Sequence, residues 1–307
     1  MSTARLDVEL VRRGLARARG QAEEMVRAGR VSVDGRPANK PSLRVSTSAA
    51  IDVEAGADPD WVGRGARKLD SLLDDLGRHP APAEKPEGRE EHGHSQVAPT
   101  AGPQISGRRC LDAGASTGGF TQVLLDHGAR EVVALDVGHD QLAEVLRRDP
   151  RVRDLPGTTV RGLDPETVGG PVDLLVADLS FISLQVVLAD LVRLVRPGGD
   201  LLLLVKPQFE VGRGRLGSGG VVRDPGLRVE AVQAVAAAAR DLGLAVRAVR
   251  ASRWPGPSGN VEYFLWLTLP SSLSDQGGTV VPPDRTAAVR PEALAAVVRA
   301  AVEEGPA

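Results

Sequence analysis

The chain has 307 residues, of which 42% are hydrophobic and 3% aromatic, and its formal net charge is −2 at pH 7. This length leaves room for one large domain and a small one. Because the net charge is close to zero, the overall charge by itself does not favour binding to nucleic acid. A single cysteine excludes an intramolecular disulfide, and no apolar run reaches the ~20 residues of a membrane-spanning helix. The N-terminus carries charges where a signal peptide needs an apolar stretch, so we expect a cytoplasmic protein.

Residues 1–58 predict a small α+β domain. Leu6, Leu10 and Val11 share one face of a first helix, and a second helix over 19–28 has Ala22, Met25 and Val26 on its apolar face. Short strands follow, with an Asp34-Gly35 hairpin turn after the first. Both helices are rich in arginine, which indicates either an RNA-binding surface or simply a face exposed to solvent. The arginines that we expect to contact RNA are Arg5, Arg12, Arg13, Arg17, Arg19, Arg27 and Arg30, with Arg64 and Arg67 beyond this domain.

Two connecting segments follow. Residues 59–78 read as a helical segment that carries Lys68, and residues 79–107 are dense in Pro, Gly, Glu and His and predict a flexible linker. His92 and His94 in that linker have no further ligands nearby, so we expect no metal site.

Residues 108–270 alternate strands and helices, which predicts an α/β domain with a Rossmann-like, doubly wound sheet. The last strand follows a tight turn around Gly256, so it can pair antiparallel. We expect residues 271–307 to form a tail whose short helix, 291–304, packs on this domain. The predicted strands are 109–112, 132–136, 172–178, 201–205, 245–251 and 263–269, and the main helices are 120–127, 141–147, 184–194 and 227–242.

The first strand–helix turn of this domain predicts a cofactor pocket. Its glycines let the backbone approach a ligand closely, but their spacing differs from the dinucleotide fingerprint. An acidic residue before the turn repels a pyrophosphate and suits the ammonium and sulfonium of S-adenosylmethionine. Asp136, which ends the second strand, can accept hydrogen bonds from ribose hydroxyls. The expected cofactor-binding residues are Asp112, Gly114, Ser116, Thr117, Gly118, Gly119, Phe120, Asp136 and Asp178.

The lysines point to the reacting centre. Only four of the 38 basic residues are lysine, and unlike arginine a lysine can act as a base once it loses its proton. Lys206 and Asp178 end neighbouring strands, Glu262 opens the last strand, and Lys68 can fold back over the same edge. This set suits removal of a proton from a hydroxyl that attacks a methyl group, with Lys206 oriented by Glu262 and Asp178. A structural ion-pair network is the alternative interpretation.

These motifs resemble those of the TlyA/hemolysin-A family of ribosomal RNA ribose 2′-O-methyltransferases. Residues 1–58 are similar to an S4 RNA-binding domain, and the following domain is similar to the FtsJ group, whose Lys-Asp-Lys-Glu tetrad maps onto Lys68, Asp178, Lys206 and Glu262. The resemblance implies 2′-O-methylation of cytidine in the RNA of one or both ribosomal subunits, with S-adenosylmethionine as methyl donor. The sequence does not determine the oligomeric state, and we expect a monomer. The linker is longer than the resemblance requires, and Ala18 replaces a helix-capping serine.

Three alternatives remain beside that function. An enzyme that methylates a small molecule disagrees with the S4-like domain, and a non-catalytic RNA-binding or ribosome-assembly factor disagrees with the presence of all four tetrad positions. A membrane-lytic hemolysin comes last, because the sequence has neither a secretion signal nor a membrane span.

Overall fold

The computed structural model describes residues 3–16, 19–54, 61–78, 102–256, 258–271 and 288–306. The chain forms two compact units, Met1–Gly63 and Arg64–Ala307. The finer domain boundaries that the sequence suggests stay a prediction, and most of the predicted linker, 79–101, lies outside the described residues.

The N-terminal unit packs two helices against short antiparallel strands. Its elements are β1 Thr3–Arg5, α1 Leu6–Arg12, α2 Arg19–Arg27, β2 Val31–Val33, β3 Arg36–Pro37, β4 Arg44–Ser46 and β5 Ile51–Val53. Strand β1 pairs with β4, and β2 lies between β3 and β5. Leu6 and Leu10 on α1 meet Ala22, Met25 and Val26 on α2 in one core, so the apolar faces read from the sequence are confirmed.

The hairpin between β2 and β3 turns at the predicted dipeptide. Asp34 and Gly35 have φ angles of 49° and 74°. Two successive residues with positive φ form the turn type whose twist matches that of the flanking strands.

The larger unit is a Rossmann-like α/β fold, as the sequence predicts. Its helices and strands are α3 Gly65–Arg78, β6 Arg109–Ala113, α4 Gly119–Asp126, β7 Glu131–Leu135, α5 Glu144–Arg147, β8 Val152–Leu155, β9 Val172–Ala177, α6 Leu184–Arg193, β10 Val195–Val205, α7 Pro207–Glu210, α8 Pro225–Asp241, β11 Ala245–Ala251, β12 Tyr263–Thr268 and α9 Leu294–Glu303. Within the described ranges, seven of these strands form one sheet in the order β11-β12-β10-β9-β6-β7-β8. The central strands are almost continuously apolar because helices cover both faces of the sheet.

The sheet is parallel except for β12, which runs antiparallel to both of its neighbours, β10 and β11. Strand β12 therefore starts at the edge where the parallel strands end. Strand order reverses between β6 and β9, and a crevice at such a reversal is where open α/β sheets bind ligands. The fold thus places the ends of β6, β9 and β10 and the start of β12 along one edge.

Two strands differ from the sequence interpretation. Strand β8 was not predicted because Val152-Arg153-Asp154-Leu155 alternates poorly and lies at an edge of the sheet, where none of its residues is buried. Strand β10 begins at Val195 rather than 201, and its pairing with β9 shifts register between Val195 and Asp200. Pro197, Gly198 and Gly199 occupy that irregularity, and their turn-like composition hides the start of the strand.

The C-terminal helix α9 packs on the sheet domain. Leu294, Val298, Ala301 and Val302 join the same core as β11 and α8.

Candidate active site

Asp112 lies fully buried at the end of the central strand β6. One carboxylate oxygen, Oδ2, accepts a 2.7 Å hydrogen bond from Thr121 Oγ1, while Oδ1 has no hydrogen-bond partner among the described residues. Burial raises the pKa of Asp112 to about 7, because removing a carboxylate from water penalises its charged form. A buried carboxylate oxygen that has no partner at a strand end can accept a hydrogen bond from a ligand.

The turn after β6 brings backbone close to the end of β9. Gly114 has a φ of 83°, and a Cβ placed there would lie 2.8 Å from the carbonyl oxygen of Asp178. Only glycine fits this approach without moving the second chain. The Asp178 amide also donates to the Ala113 carbonyl at 3.1 Å, so the turn and the Asp178 backbone are fixed together.

Asp136 holds the other side of the same turn. Its Oδ2 accepts a 2.8 Å hydrogen bond from the Ser116 amide, and its Oδ1 accepts one of 2.7 Å from the Gly138 amide. A carboxylate oxygen has two acceptor positions, so each oxygen keeps one for a ligand hydroxyl. The carboxylate therefore shapes the turn and can bind a ribose as well.

The remaining turn residues divide into exposed and buried ones. Ser116 and Thr117 are exposed, and Gly118 caps α4, which begins at Gly119. Phe120, a predicted cofactor contact, is buried, and its ring stacks on Phe264 with centroids 6.1 Å apart. The structure thus gives Phe120 a place in the core behind the turn, and a cofactor contact for it stays a prediction.

The four tetrad positions form two ion pairs at the same edge of the sheet. Lys206 Nζ lies 2.7 Å from Asp178 Oδ1, and Lys68 Nζ donates to Glu262 Oε2 at 2.6 Å. Both lysine side chains are only 9% exposed. We expected Glu262 and Asp178 both to orient Lys206, but the Glu262 carboxylate contacts Lys68 instead.

Two contacts connect the pairs. Gln208, two residues after Lys206, donates from Nε2 to Glu262 Oε1 at 3.4 Å. Gly65, one turn before Lys68 on α3, lies against Asp178: a Cβ there would be 3.8 Å from Oδ2. The helix α3 therefore packs along the edge of the sheet where the tetrad lies.

The loop after β9 contributes residues that the sequence interpretation did not include in the site. Ser180 Oγ accepts a 2.8 Å hydrogen bond from Lys206 Nζ, so Lys206 is held between Asp178 and Ser180. Phe181 is 92% exposed, has a φ of 65° and places its ring 5.4 Å from that of Phe209. A phenylalanine in this strained backbone region is typical of functional loops.

Glu210, on α7 just after β10, binds the loop after β9 to the loop after β10. Its Oε1 accepts from the Leu184 amide at 2.7 Å, and its Oε2 accepts from Ser183 Oγ at 2.6 Å. The first bond satisfies the Leu184 amide at the start of α6, and Ser183 Oγ accepts from the next amide, that of Gln185, at 3.2 Å; a helix leaves such first amides without internal partners. In the sequence, Glu210 and Ser180 could be recognised only as polar residues that shortly follow the end of a strand.

The predicted RNA-binding arginines of the N-terminal unit surround two buried carboxylates. Asp7 binds Arg5 and Arg19 at 2.7 and 2.9 Å, and Glu9 binds Arg12 and Arg13 at 2.5 and 2.8 Å. These guanidinium groups lower the pKa of both carboxyls to about 2. A guanidinium has five N–H donors, so such a pair fixes the arginine and leaves donors for a phosphate.

The other predicted arginines differ in their surroundings. Arg27 pairs with Glu23 at 3.1 Å, and Arg30 donates to the Glu54 carbonyl at 3.0 Å. Arg64 is exposed, and Arg67 lies over Trp254. Arg17 lies outside the described residues.

Neither a metal site nor a membrane helix emerges from the described part of the chain. None of its His, Cys, Asp and Glu clusters could hold a metal ion, and His92 and His94 lie outside it. No helix within it has the length and apolar character needed to cross a bilayer.

Comparison with known proteins agrees with this geometry. The FtsJ-like methyltransferase family matches residues 61–269, and the S4 domain matches residues 4–51. The chain is 54% identical over 264 residues to the 16S/23S rRNA (cytidine-2′-O)-methyltransferase TlyA of Mycobacterium tuberculosis, covering 86% of this chain and 89% of that protein.

Two relatives bear a different name. Hemolysin A of Brachyspira hyodysenteriae is 30% identical over 85% of this chain and 98% of its own length. A solved structure from Streptococcus thermophilus, described as a candidate hemolysin, is 31% identical with a TM-score of 0.66, covering 99% of this chain and 97% of that chain. Since the matches span the sheet domain, the N-terminal unit and most of the length of these relatives, the chain belongs to the TlyA group of FtsJ-like methyltransferases.

Proposed function

We propose that the protein transfers a methyl group from S-adenosylmethionine to the 2′-hydroxyl of cytidine in ribosomal RNA, acting in the cytoplasm, where it meets ribosomal subunits. The observation that carries the proposal is the pair of nearly buried lysines, Lys68 and Lys206, each bound to a carboxylate at the edge where β6 ends. The name of the M. tuberculosis relative supplies the substrate class.

The residues of the β6–α4 turn fit the methyl donor. When bound, S-adenosylmethionine supplies an electrophilic methyl group, whose bond to sulfur breaks as the hydroxyl oxygen attacks. The unpartnered Oδ1 of Asp112 suits an ammonium donor, and the free acceptor positions of Asp136 suit ribose hydroxyls. Gly114 lets the turn that carries these acceptors lie against the backbone of Asp178.

Lys206 is the best placed group to receive the proton of the attacking hydroxyl. Asp178 and Ser180 fix its nitrogen at the edge of the pocket, so a hydroxyl facing the turn also faces Nζ. A positioned base typically contributes ~10²–10⁴-fold to rate. As a base Lys206 must first be neutral, so its ammonium proton has to leave to solvent before the hydroxyl attacks.

Lys68 and Glu262 hold the rest of the pocket in place. Glu262 binds Lys68 with one oxygen and Gln208 with the other, so it joins α3 to the chain that follows Lys206. Phe181 offers an exposed ring beside this centre, on which a base lifted out of a helix can stack.

The N-terminal unit supplies affinity for RNA in this proposal. Its paired arginines are fixed but still exposed, with Arg12 58% and Arg19 56% accessible in their side chains. Phosphate contacts of this kind make binding fall as salt rises.

Mass mapping of ribose methylation tests the proposal directly. Ribosomal subunits lacking the modification are incubated with the protein and S-adenosylmethionine, and the RNA is digested and sequenced by mass. We expect a gain of one methyl group on the ribose of a cytidine, and none with Lys206→Arg. Methylation of a base, or of a small molecule only, would overturn the proposed function.

A further inference from the structure

Trp254 is an exposed aromatic residue in a chain that has few. The sequence contains three Trp, one Tyr and four Phe. Tyr263, Phe264 and Trp266 are buried, whereas the Trp254 side chain is 43% exposed. Among the described residues, Phe181 is the other exposed aromatic residue. A single exposed apolar residue is ordinary in itself, so its position and its neighbours decide what it does.

The position of Trp254 is at the catalytic edge. Strand β11 runs parallel to β10, so the loop that follows Ala251 leaves the sheet where the tetrad lies. The Ser252 amide donates to the Glu262 carbonyl at 2.8 Å. Gly256 lies against the Glu262 carboxylate, since a Cβ there would be 2.5 Å from Oε1. Trp254 sits between these two contacts with Glu262.

A cation accompanies the indole ring. The guanidinium carbon of Arg67 lies 5.2 Å from the centroid of the Trp254 ring, within the range of a cation–π contact. Arg67 precedes Lys68 on α3, so this stacking pair, Arg67 and Trp254, borders the tetrad.

The loop that carries Trp254 is fixed by its own contacts. Arg253 forms an ion pair with Asp75, and its Nε lies 3.0 Å from Asp75 Oδ2. Ser252 Oγ donates to the Trp254 carbonyl at 2.8 Å. Because the loop is held this way and Arg67 lies over the indole ring, the ring loses little freedom when a partner stacks on it.

We propose that the stacking pair binds an unpaired nucleotide of the RNA substrate next to the cytidine that is methylated. The proposal rests on the function proposed above. Aromatic side chains stack on unpaired bases whatever their sequence, and an adjacent guanidinium can extend the stack or contact a phosphate. The tetrad lysines are nearly buried, so the target ribose must leave a regular helix to reach them, and its neighbours then become available for stacking.

The alternative is a purely structural role, in which Trp254 only supports α3. That role predicts lower thermal stability and slower methyl transfer in Trp254→Ala, with unchanged affinity for RNA. The stacking role predicts weaker RNA binding and a raised KM, with S-adenosylmethionine affinity and melting temperature near those of the parent protein.

Tryptophan fluorescence reports stacking directly. In the full-length Trp61→Phe protein, Trp254 and the buried Trp266 remain, and Trp266 Nε1 is bound to Asp200 Oδ1 at 2.9 Å. We expect a short single-stranded oligocytidylate to quench the emission, and the paired duplex of the same length to quench it far less. Equal quenching by both, or none by either, would overturn the proposal.

A variant series measures the energetic effect. Trp254→Ala should bind the oligocytidylate roughly tenfold more weakly, and Trp254→Phe should retain most of the affinity. Leu242→Ala is the matched control, because Leu242 is 42% exposed but follows α8 at the opposite end of β11. Equal affinities of Trp254→Ala and Leu242→Ala for the oligocytidylate would reject stacking. Stacking would also be rejected if Trp254→Ala bound whole subunits more weakly but the oligocytidylate normally. That result would indicate a ribosomal protein as the partner.

These results are separable from failure of the proposed function. If the parent protein methylates no ribosomal RNA, the function is wrong even where oligocytidylate quenches Trp254. If methylation proceeds and Trp254→Ala changes neither KM nor affinity, the function stands and the stacking role falls.

Discussion

Lys68 and Glu262 are 194 residues apart in the sequence, yet their side chains meet at 2.6 Å, 9% and 1% exposed. The contact joins α3, which precedes the strands of the sheet in the sequence, to the residue just before β12, the last of those strands in chain order. An ion pair this deeply placed is worth little relative to an apolar pair, but it is costly to break from one side.

Replacing one partner of that pair should therefore destabilise the protein. We expect Glu262→Gln to lower the free energy of unfolding by about 3 kcal/mol, because it leaves the Lys68 ammonium buried without its counter-charge. The control is Glu230→Gln, which removes an exposed pair with Arg215 and should cost less than about 1 kcal/mol. Urea denaturation of both variants checks this, and equal small losses would mean that water solvates the Lys68 pair.

Lys206→Arg separates a base from a fixed cation. Arginine keeps the charge and approximate reach but does not deprotonate at accessible pH. We expect methyl transfer to fall by ~10²–10⁴-fold, with RNA and S-adenosylmethionine affinity nearly unchanged. Lys40→Arg, at an exposed position in the N-terminal unit, is the matched control and should retain full activity. Near-normal turnover of Lys206→Arg in a labelled-methyl assay would leave electrostatic positioning as the role of Lys206.

Asp136→Asn should weaken binding of S-adenosylmethionine. The amide loses the charge and turns an NH₂ group toward the Ser116 or Gly138 amide, and unpaired polar groups in such a pocket cost roughly 1–3 kcal/mol. Calorimetry should show about a tenfold loss of affinity. Asp140→Asn, four residues along and 92% exposed in its side chain, serves as the comparison and should bind normally. Equal affinities of the two variants would place the ribose site elsewhere.

The buried Asp112 predicts a pH-dependent stability. Burial raises its pKa from 3.8 to about 7, so between these values the folded protein holds a proton that the unfolded chain has lost. Stability therefore falls as pH rises through this window, by about 3 kcal/mol between about pH 5 and 8. Asp112→Asn cannot titrate, so its unfolding free energy should lose correspondingly less over the same range. Parallel pH profiles of the two proteins in denaturant titrations would contradict the assignment.

Much of this architecture could be predicted from the sequence because local chemistry determines it. The apolar run 201–205 is short and bounded by glycines and Pro207, which indicates a buried strand, and the glycines between Asp112 and Gly119 indicate a turn after the preceding strand. The antiparallel last strand followed from the turn around Gly256. Strand β8 could not be found this way, since an edge strand with Arg153 and Asp154 buries too little to leave a pattern.

The pairing within the tetrad lay beyond sequence reasoning for a different reason. Four residues could be assigned to one edge of the sheet, but which lysine meets which carboxylate depends on angstrom-scale placement of α3, and the sequence does not encode that locally. Ser180 and Glu210 were missed likewise, because a short polar residue after a strand is common and only the Lys206 and Leu184 contacts identify these two.

The antiparallel position of β12 also affects how the protein is made. Strand β12 lies between β10 and β11 but is synthesised after both. Until it leaves the ribosome, β10 has one bare edge of unpaired amides and carbonyls, a surface that recruits other chains. Nascent chains halted before Glu262 should therefore depend on chaperones, and their Lys68 lacks the carboxylate of Glu262 as well. The edge of β10 is therefore covered, and the tetrad completed, only when the last strand of the sheet has been translated.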